Sequence, residues 1–301
     1  MQPSLRHRLL LVAAALLFST GGAAIKAAHL GGWQIACFRS GIAAIVLIVS
    51  LPGARRGWSP RTAMVSAAYA ATLVLFVLAN RLTTSANAIF LQATAPLYVL
   101  LLAPLLLREH IRRSDLAYIA AVGAGMSLFF TGEQQALATA PDPARGNVLA
   151  LASGITYALM LIGLRWLGRR GGGDAGLATV AAGNVLAFAA ALGPALPVER
   201  FGAGDAAVLV YLGTAQIGLA YWCLTAGIRH VPAFEAVTVL QLEVAMNPVW
   251  TWLIHGERPA GRALAGGALI VCATVVNTWR NRALAVSSIT QRGRAAGASG
   301  G

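Results

Sequence analysis

The sequence predicts an all-α membrane protein in which ten transmembrane helices form two inverted five-helix repeats. Only 11% of its 301 residues are charged and 57% are apolar, whereas an ordinary soluble domain carries ~25% charged residues. The apolar residues fall into ten runs, each close to the ~20 residues that a helix needs to cross a bilayer. The two halves of the chain also resemble each other weakly. Lipid, rather than a shell of charged side chains, must therefore cover most of the surface.

The ten predicted spans follow one another through short connections. The longest connections, near residues 132–145 and 196–204, are too short to bury a hydrophobic core of their own. The first repeat is predicted over residues 1–131 and the second over residues 146–280. The Gly-, Ala-, Ser- and Arg-rich residues 281–301 are expected to form a disordered cytoplasmic tail. The spans are predicted at 9–28, 33–52, 62–80, 83–107, 115–131, 146–168, 175–195, 205–228, 233–254 and 261–279.

The basic residues predict the orientation of the chain in the membrane. The net charge of +13 does not come from a basic stripe with interleaved aromatic residues, so nucleic-acid binding is excluded. With the N-terminus in the cytoplasm, 16 of the 23 Lys and Arg residues lie inside and 7 lie outside, as the positive-inside rule requires. Residues 1–24 imitate a cleavable signal peptide, but the apolar run continues to Ala28, so an uncleaved first span is expected. The prediction is a multi-pass protein of the inner (plasma) membrane with both termini cytoplasmic.

Two matched pairs of charged residues link the halves. Arg81 and Arg229 are 148 positions apart, and so are Glu109 and Glu257. Each pair falls at equivalent places around the fourth and ninth spans. Because each repeat has an odd number of spans, the second repeat must enter the membrane upside down. Inverted repeats are typical of secondary transporters, which hold their substrate near the bilayer midplane between the halves.

Glu243 lies at the midpoint of the ninth span, as far from water as this chain allows. A carboxylate at this depth is energetically costly unless it faces a wet cavity, pairs with a cation or is protonated. Two interpretations are open: an acid that contacts substrate or exchanges protons, and a protonated acid that only joins two helices. Asn247 and Trp250, at i+4 and i+7, share its helix face. Gln241 lies on a second stripe, and we expect only one of the two stripes to face a cavity.

Other polar and aromatic side chains recur near the centres of the spans. A cavity lined by aromatic residues with a few hydrogen-bonding groups would suit an amphipathic organic metabolite. Taken singly, such a residue more often joins two helices than contacts a ligand, so the prediction depends on their convergence at the midplane. Together with Glu243, Asn247 and Trp250, the candidate substrate-binding residues are Asn87, Thr94, Tyr98, Tyr69, Phe76, Tyr157, Tyr221 and Ser19.

Three further features allow alternative interpretations. Residues 19–22, Ser-Thr-Gly-Gly, either break the first helix and expose its backbone to a ligand or pack closely against another helix. Lys26 and Arg39 lie in the outer halves of the first two spans. They either attract an anionic substrate or, more simply, snorkel to the lipid headgroups. Glu257, at a membrane interface, is expected to pair locally with an arginine that follows it.

Short motifs in several spans form a recognisable set. They are Ala24-Ile25-Lys26, Phe38-Arg39, Pro96 thirteen residues before Glu109, Leu240-Gln241-Leu242-Glu243, Asn247-Pro248-Val249-Trp250 and Gly256-Glu257-Arg258-Pro259. This set resembles the drug/metabolite transporter superfamily, and its EamA-type members in particular, over residues 9–279. Phe18-Ser19 stands where these proteins usually have Trp-Gly, and Arg108 where they have Gly before Glu109. The resemblance implies export or exchange of small metabolites, with substrates that differ widely between members.

The sequence and this resemblance favour a secondary transporter, an exporter of small organic metabolites that are amino-acid-like or amphipathic, working by alternating access. The alternatives are a lipid-carrier flippase and a membrane-embedded enzyme, although no paired acid, base or metal residues are visible at a membrane face. The sequence has no Gly-x-x-x-x-Gly-Lys phosphate loop and no cluster with metal-ligand spacing, so no cofactor is expected. The expected partners are a small-molecule substrate, the bilayer and protons as a coupling ion, and a monomer is compatible with this plan.

Overall fold

The computed structural model of the protein describes residues 5–106, 113–131, 136–168, 175–228, 230–231 and 233–298. Glu109, predicted to end the fourth span, lies outside these ranges. Every regular element within them is helical. The α-helices are α1 (Leu5–Ser19), α2 (Gly21–Ala27), α3 (Gly32–Ser50), α4 (Pro60–Leu82), α5 (Ser85–Gln92), α6 (Ala95–Leu106), α7 (Arg113–Ser127), α8 (Pro143–Gly168), α9 (Ala175–Ala195), α10 (Ala203–Tyr211), α11 (Ala220–Ile228), α12 (Ala233–His255) and α13 (Gly261–Ala298).

Short polar residues define where several helices begin. The Ser59 hydroxyl accepts a hydrogen bond from the Thr62 amide at the start of α4, and Pro60 occupies the first helical position. The Thr84 hydroxyl caps α5 in the same way. Side-chain oxygens at these positions bond amide groups that lack a partner in the first turn, and proline is pre-organised for it. The turn between α4 and α5 is therefore only two residues long, and it brings the end of α4 close to the start of α5.

Eight helical segments among the described residues are long and apolar enough to cross a membrane. The other two predicted spans correspond to α7, described over 15 residues, and to α12, which has 23 residues. The polar side chains of Gln241, Glu243 and Asn247 lower the mean hydropathy of α12. Eight of the ten predicted spans thus have the required length and composition, and the full count of ten stays a prediction.

The C-terminal helix is longer than the tenth predicted span. Helix α13 does not end near residue 279 but continues to Ala298. Residues 281–298 contain several alanines and arginines, which have high helix propensity. A composition of small and charged residues, which suggested disorder, is equally compatible with a helix that extends beyond the apolar segment.

Three interruptions divide helices that were predicted as continuous spans. Helices α1 and α2 are separated at Thr20, whose amide bonds the Leu17 carbonyl three residues back. Helices α5 and α6 are separated at residues 93–94, just before Pro96, which cannot donate a backbone hydrogen bond. Between α10 and α11 the chain forms a π-helical segment, Leu212–Leu219. Such wide turns occur often at functional sites.

Contacts between the helices fix their relative directions. Helices α1 and α12 are parallel, because Arg8 contacts Glu235 near their starts and Ser19 contacts Trp250 near their ends. Helix α8 runs parallel to α5 and α6 in the same manner, with Asn147 contacting Asn87 near the starts. The end of α2 lies beside the start of α5, so α1 and α5 are antiparallel. The first span of the first repeat (α1) thus packs along the fourth span of the second repeat (α12). The first span of the second repeat (α8) likewise packs along the fourth span of the first repeat (α5 and α6).

Small residues allow close packing throughout the bundle. A methyl group added at Gly125 of α7 would lie 2.9 Å from the Gly266 carbonyl oxygen of α13. One added at Gly183 of α9 would lie 2.3 Å from the Tyr69 ring of α4. Helix backbones can approach this closely only where a side chain is absent. The packing brings α4, α8 and α9 together on one side and α1, α11 and α12 on the other.

Candidate functional site

A cavity of about 470 Å³ lies between the two halves of the chain. Its volume falls within the ~300–1,000 Å³ that small-molecule sites occupy. All the interrupted helices contribute to its wall. The lining residues are Phe18, Arg39, Tyr69, Thr72, Leu73, Phe76, Ile89, Gln92, Ala93, Ala95, Pro96, Tyr157, Leu161, Gln216, Ile217, Tyr221, Leu224, Leu240, Gln241, Glu243 and Val244.

Aromatic rings from three helices form one wall of the cavity. The Phe18 and Tyr221 ring centroids are 5.1 Å apart at an interplanar angle of 76°. The Tyr221 and Tyr69 centroids are 6.3 Å apart at 87°. Both pairs are edge-to-face, the arrangement that aromatic quadrupoles favour. The wall offers apolar ring surface, together with two hydroxyl groups, to a bound molecule.

Helix α12 turns towards the cavity the face that lies between its two polar stripes. Leu240 and Val244 occupy the centre of this face, and Glu243 and Gln241 lie at its two edges. The expectation that only one stripe could face the cavity was therefore wrong. Leu240 and Val244 are four positions apart and therefore lie close together on one face of the helix. Gln241 and Glu243 are about 160° apart around the helix axis, one on either side of that face, and both can reach the rim of a wide cavity. Glu243 is half-buried, and part of its remaining surface lines the cavity.

Five of the eleven candidate residues line this cavity, and six do not. The five come from α4, α8, α11 and α12. They are Tyr69, Phe76, Tyr157, Tyr221 and Glu243. The six that lie elsewhere are Ser19, Asn87, Thr94, Tyr98, Asn247 and Trp250. Several of the six are close in sequence to lining residues, such as Ser19 beside Phe18 and Thr94 between Ala93 and Ala95. Helix periodicity assigns a residue to a face but does not show which neighbouring helix its side chain meets.

Four of the six join helices or turns to one another. The Trp250 indole Nε1 donates to the Ser19 hydroxyl at 2.8 Å, which ties α12 to α1. The Asn87 side-chain amide Nδ2 donates to the side-chain oxygen Oδ1 of Asn147 at 3.1 Å, which ties α5 to α8. The Thr94 hydroxyl donates to the Leu91 carbonyl at 2.6 Å and closes the turn between α5 and α6. These bonds are structural contacts that satisfy buried polar groups.

Asn247 and Tyr98 pack against glycines. Asn247 is fully buried, and a methyl group added at Gly22 would lie 2.7 Å from its Oδ1 atom. The Tyr98 ring lies against Gly154, where an added methyl group would be 3.3 Å away. Within residues 19–22 the helix is interrupted at Thr20, and the glycines that follow permit close packing. Exposure of the backbone to a ligand stays a prediction.

Arg39 lines the cavity and does not snorkel. Its residue exposure is 2%, and the guanidinium Nη2 donates to the Leu73 carbonyl oxygen at 3.4 Å. Its Nε atom is buried and has no hydrogen-bond partner within the described ranges. Position near a span end suggested snorkelling. Helix α3, however, turns this face inward against the π-helical segment, where an added methyl group at Gly213 would meet the Arg39 carbonyl at 3.0 Å.

Three glutamines line the cavity but are not among the candidate residues predicted from the sequence, although Gln241 was assigned to the second polar stripe of its helix. Gln92 donates to the Ser153 hydroxyl at 2.6 Å. Gln216, in the π-helical segment, donates to the Phe18 carbonyl at 3.4 Å, while its Oε1 atom is buried without a partner in the described part of the chain. Gln241 is the third. A usable signal was present, because an uncharged amide in an apolar span must also find a partner or a wet surface.

A buried ion pair closes one end of the bundle. Lys26 Nζ lies 3.1 Å from Glu257 Oε2, and the two side chains are 2% and 1% exposed. Glu257 Oε1 accepts a hydrogen bond of 2.7 Å from the Ser85 amide at the start of α5. Lys26 also donates to the Thr83 and Thr139 carbonyl oxygens. Glu257 therefore does not pair with a neighbouring arginine, and Lys26 does not snorkel, because the carboxylate is turned inward towards the N-terminus of α5.

The opposite end of the bundle carries a more exposed pair. Arg8 Nε lies 2.6 Å from Glu235 Oε1, and the side chains are 47% and 32% exposed. The His7 and His230 rings stack beside it with centroids 4.0 Å apart. No cluster of three metal-ligating residues occurs within the described ranges. The bundle thus has an exposed ion pair near the starts of α1 and α12 and a buried ion pair between the end of α2 and the loop after α12.

The helical architecture, with eight described segments long and apolar enough to cross a membrane, defines a polytopic membrane protein. The EamA-like transporter family matches residues 6–131 and again residues 144–279. The chain therefore belongs to the EamA-like transporter family, which is part of the drug/metabolite transporter superfamily.

Comparison with other known proteins adds the fold alone. No curated protein matches the sequence. A solved structure, described only as a crystal structure of a protein, is 19% identical, with a TM-score of 0.59. The match covers 92% of this chain and 98% of that chain. At this identity the likeness shows a shared fold over nearly the whole length of both proteins.

Proposed function

We propose that the protein is a secondary transporter that exports small organic metabolites, amino-acid-like or amphipathic, by alternating access. The observation that carries the proposal is the cavity between the two halves, lined by aromatic rings and by the mid-helix carboxyl group of Glu243. Membership of a transporter family supplies the class of activity. The size and lining of the cavity supply the kind of substrate, a compact molecule with both apolar and polar groups.

The proposed membrane arrangement has ten spans in two inverted repeats, with both termini in the cytoplasm. Helices α1 and α12 are parallel, whereas the start of α5 meets the end of α2. Equivalent spans of the two repeats therefore run in opposite directions, which supports the inversion. The distribution of Lys and Arg supports an inner-membrane orientation in which the Lys26–Glu257 pair lies towards the outside. Helices α7 and α12 complete the ten spans.

In this proposal the structure corresponds to a state that is closed on the outside. The Lys26–Glu257 pair joins α2, α5 and the end of α12 above the cavity. The cytoplasmic side of the cavity is lined by Leu161, Leu224 and Leu240, which lie nearer the cytoplasmic ends of their helices in the proposed orientation. Alternating access would require the outer contacts to separate while the Arg8 end closes. Opening alternates because each repeat moves against the other about the same central site.

Glu243 is the proposed coupling residue. A carboxyl group that faces the cavity can exchange a proton with whichever side the cavity opens to, and charged residues at this depth are functional by default. The volume of about 470 Å³ fits a metabolite better than a lipid-linked carrier, so we favour export of metabolites over lipid flipping.

Reconstitution in liposomes tests the proposal. Labelled amino acids and amphipathic metabolites are screened for uptake with and without a pH gradient, in wild-type protein and in Glu243→Gln. We expect saturable uptake of at least one compound, stimulated by the gradient in the wild type and insensitive to it in Glu243→Gln. Glu199→Gln, which changes an exposed carboxyl group in a loop, is the matched control and should keep the stimulation.

Two outcomes would contradict the proposal. No uptake of any compound above that of empty liposomes would exclude a transporter of these substrates. Uptake by Glu243→Gln that keeps its full dependence on the gradient would exclude Glu243 as the coupling residue.

A further inference from the structure

Arg39 differs from the other deeply buried cation of the bundle. Lys26 has Glu257 as its counter-ion, whereas Arg39, with 2% of its surface exposed, forms no ion pair within the described ranges. Burial of a guanidinium without an opposite charge is energetically unfavourable in a membrane protein. A cavity that admits water or an anion relieves this cost. The side chain lies at such a cavity.

The guanidinium keeps part of its hydrogen-bonding capacity free. One terminal nitrogen donates to the Leu73 carbonyl, while the buried Nε–H has no partner in the described part of the chain. An arginine side chain offers five N–H donors in a planar fork, and this fork matches the two oxygens of a carboxylate. Tyr69 and Tyr221 line the same cavity as Arg39. Among the described lining residues, Arg39 shares the cavity with aromatic and polar side chains and with one acid, Glu243.

Glu243 does not neutralise Arg39, although both line the same cavity. The structure places no ion pair between these two described residues, which belong to α3 and α12. Gln216, on the segment that packs against α3, adds a buried carbonyl oxygen without a partner. The cavity thus combines one unneutralised cation with an unused acceptor. An anionic group on the ligand would satisfy the first, and a hydroxyl or amino group would satisfy the second.

We propose that Arg39 is the substrate-anchoring residue of the cavity and that it binds a carboxylate group of the transported molecule. The aromatic wall of Phe18, Tyr221 and Tyr69 then holds the apolar body of the same molecule. This inference depends on the proposed function, because it names the chemical class that the transport site takes. Arg39 sets specificity by charge: a carboxylate binds, and the amide of the same shape is rejected.

Binding of matched carboxylates and amides to the purified full-length protein tests the inference. The probes are 3-phenylpropionate against 3-phenylpropionamide, and L-phenylalanine against L-phenylalaninamide, measured by calorimetry at neutral pH. We expect the wild type to bind at least one carboxylate about tenfold or more tightly than its amide, because charge-assisted hydrogen bonds are about twice as strong as neutral ones. Arg39→Gln should lose this preference, and Arg39→Lys should keep only part of it.

Arg81→Gln is the matched control. Arg81 is also a partly buried arginine that donates to a backbone carbonyl, that of Ala28 at 3.1 Å, but it does not line the cavity. This variant should keep the carboxylate preference. The inference is overturned if the wild type binds no carboxylate of the panel, if it binds the amides equally well, or if Arg39→Gln keeps the preference. If Arg39→Gln does not fold, the inference is still tested by the wild-type preference for carboxylates over amides and by the size of that preference in Arg39→Lys.

The failure of this inference can be told from the failure of the proposed function. Transport without a preference for carboxylates would support the proposed transport function and contradict the proposed role of Arg39 in binding a carboxylate. A preference for carboxylates in the binding experiment, without transport in liposomes, would support the proposed Arg39 binding site and contradict the proposed transport function.

Discussion

Lys26 Nζ lies 3.1 Å from Glu257 Oε2. This contact joins the C-terminal end of α2 to the loop that follows α12. The second carboxylate oxygen accepts the Ser85 amide at the N-terminus of α5, where the helix dipole favours a negative charge. One carboxylate therefore links three parts of the bundle. Because the pair is deeply buried, either partner alone would leave a charge without compensation.

Glu257→Gln should destabilise the protein by about 3–5 kcal/mol, since it leaves the Lys26 ammonium buried and unpaired. Glu235→Gln is the matched control, because the Arg8–Glu235 pair is half exposed and such pairs contribute about 0–1 kcal/mol. Thermal unfolding in detergent measures both. The double variant Lys26→Met with Glu257→Gln should recover part of the loss. Equal destabilisation by the two single variants would show that burial of the pair is unimportant.

Gly22→Ala should weaken the same closed end by steric overlap. An added methyl group would lie 2.7 Å from Asn247 Oδ1 and 2.8 Å from Ser85 Oγ, and overpacking of this kind costs about 1–3 kcal/mol. Gly123→Ala in α7 is the control, because nothing lies within 4 Å of the added atom. Gly123→Ala should be neutral or slightly stabilising through helix propensity. A Gly22→Ala protein as stable as Gly123→Ala would contradict the close approach of α2, α5 and α12.

Orientation is tested by single cysteines in a background without Cys37, Cys223 and Cys272. Ala138 and Arg56 are exposed in loops at opposite ends of the bundle. An impermeant thiol reagent applied to intact cells should label Ala138→Cys at once. Arg56→Cys should react only after the membrane is permeabilised. The reverse pattern would place the termini outside.

The helices were largely predictable from the sequence, whereas the site was only partly so. Apolar runs give the positions of spans because a bilayer requires them, and the depth of Glu243 alone was enough to single it out. Periodicity does not say which helix lies opposite a residue. Asn87 and Trp250 were therefore predicted to bind substrate, although their side chains form hydrogen bonds with residues of other helices.

Arg39 and the Lys26–Glu257 pair show why the remainder could not be read from one chain. Nearness to a span end favours snorkelling when a helix is considered alone. The inward rotation of α3 depends on its contact with the π-helical segment, in which Gly213 lies 174 positions after Arg39. Similarly, the partner of Lys26 lies in the other repeat. Contacts between distant segments, not local composition, decide which charges are buried.

The central claim is that the transported molecule passes through the cavity between the two repeats. Ala93 lines this cavity at the turn between α5 and α6. Ala93→Cys, labelled to completion with a maleimide and reconstituted, should lose uptake of the compound that the wild type transports best, and that compound should slow the labelling. Ala138→Cys, labelled to the same extent, should retain uptake. Full uptake by labelled Ala93→Cys would contradict the claim.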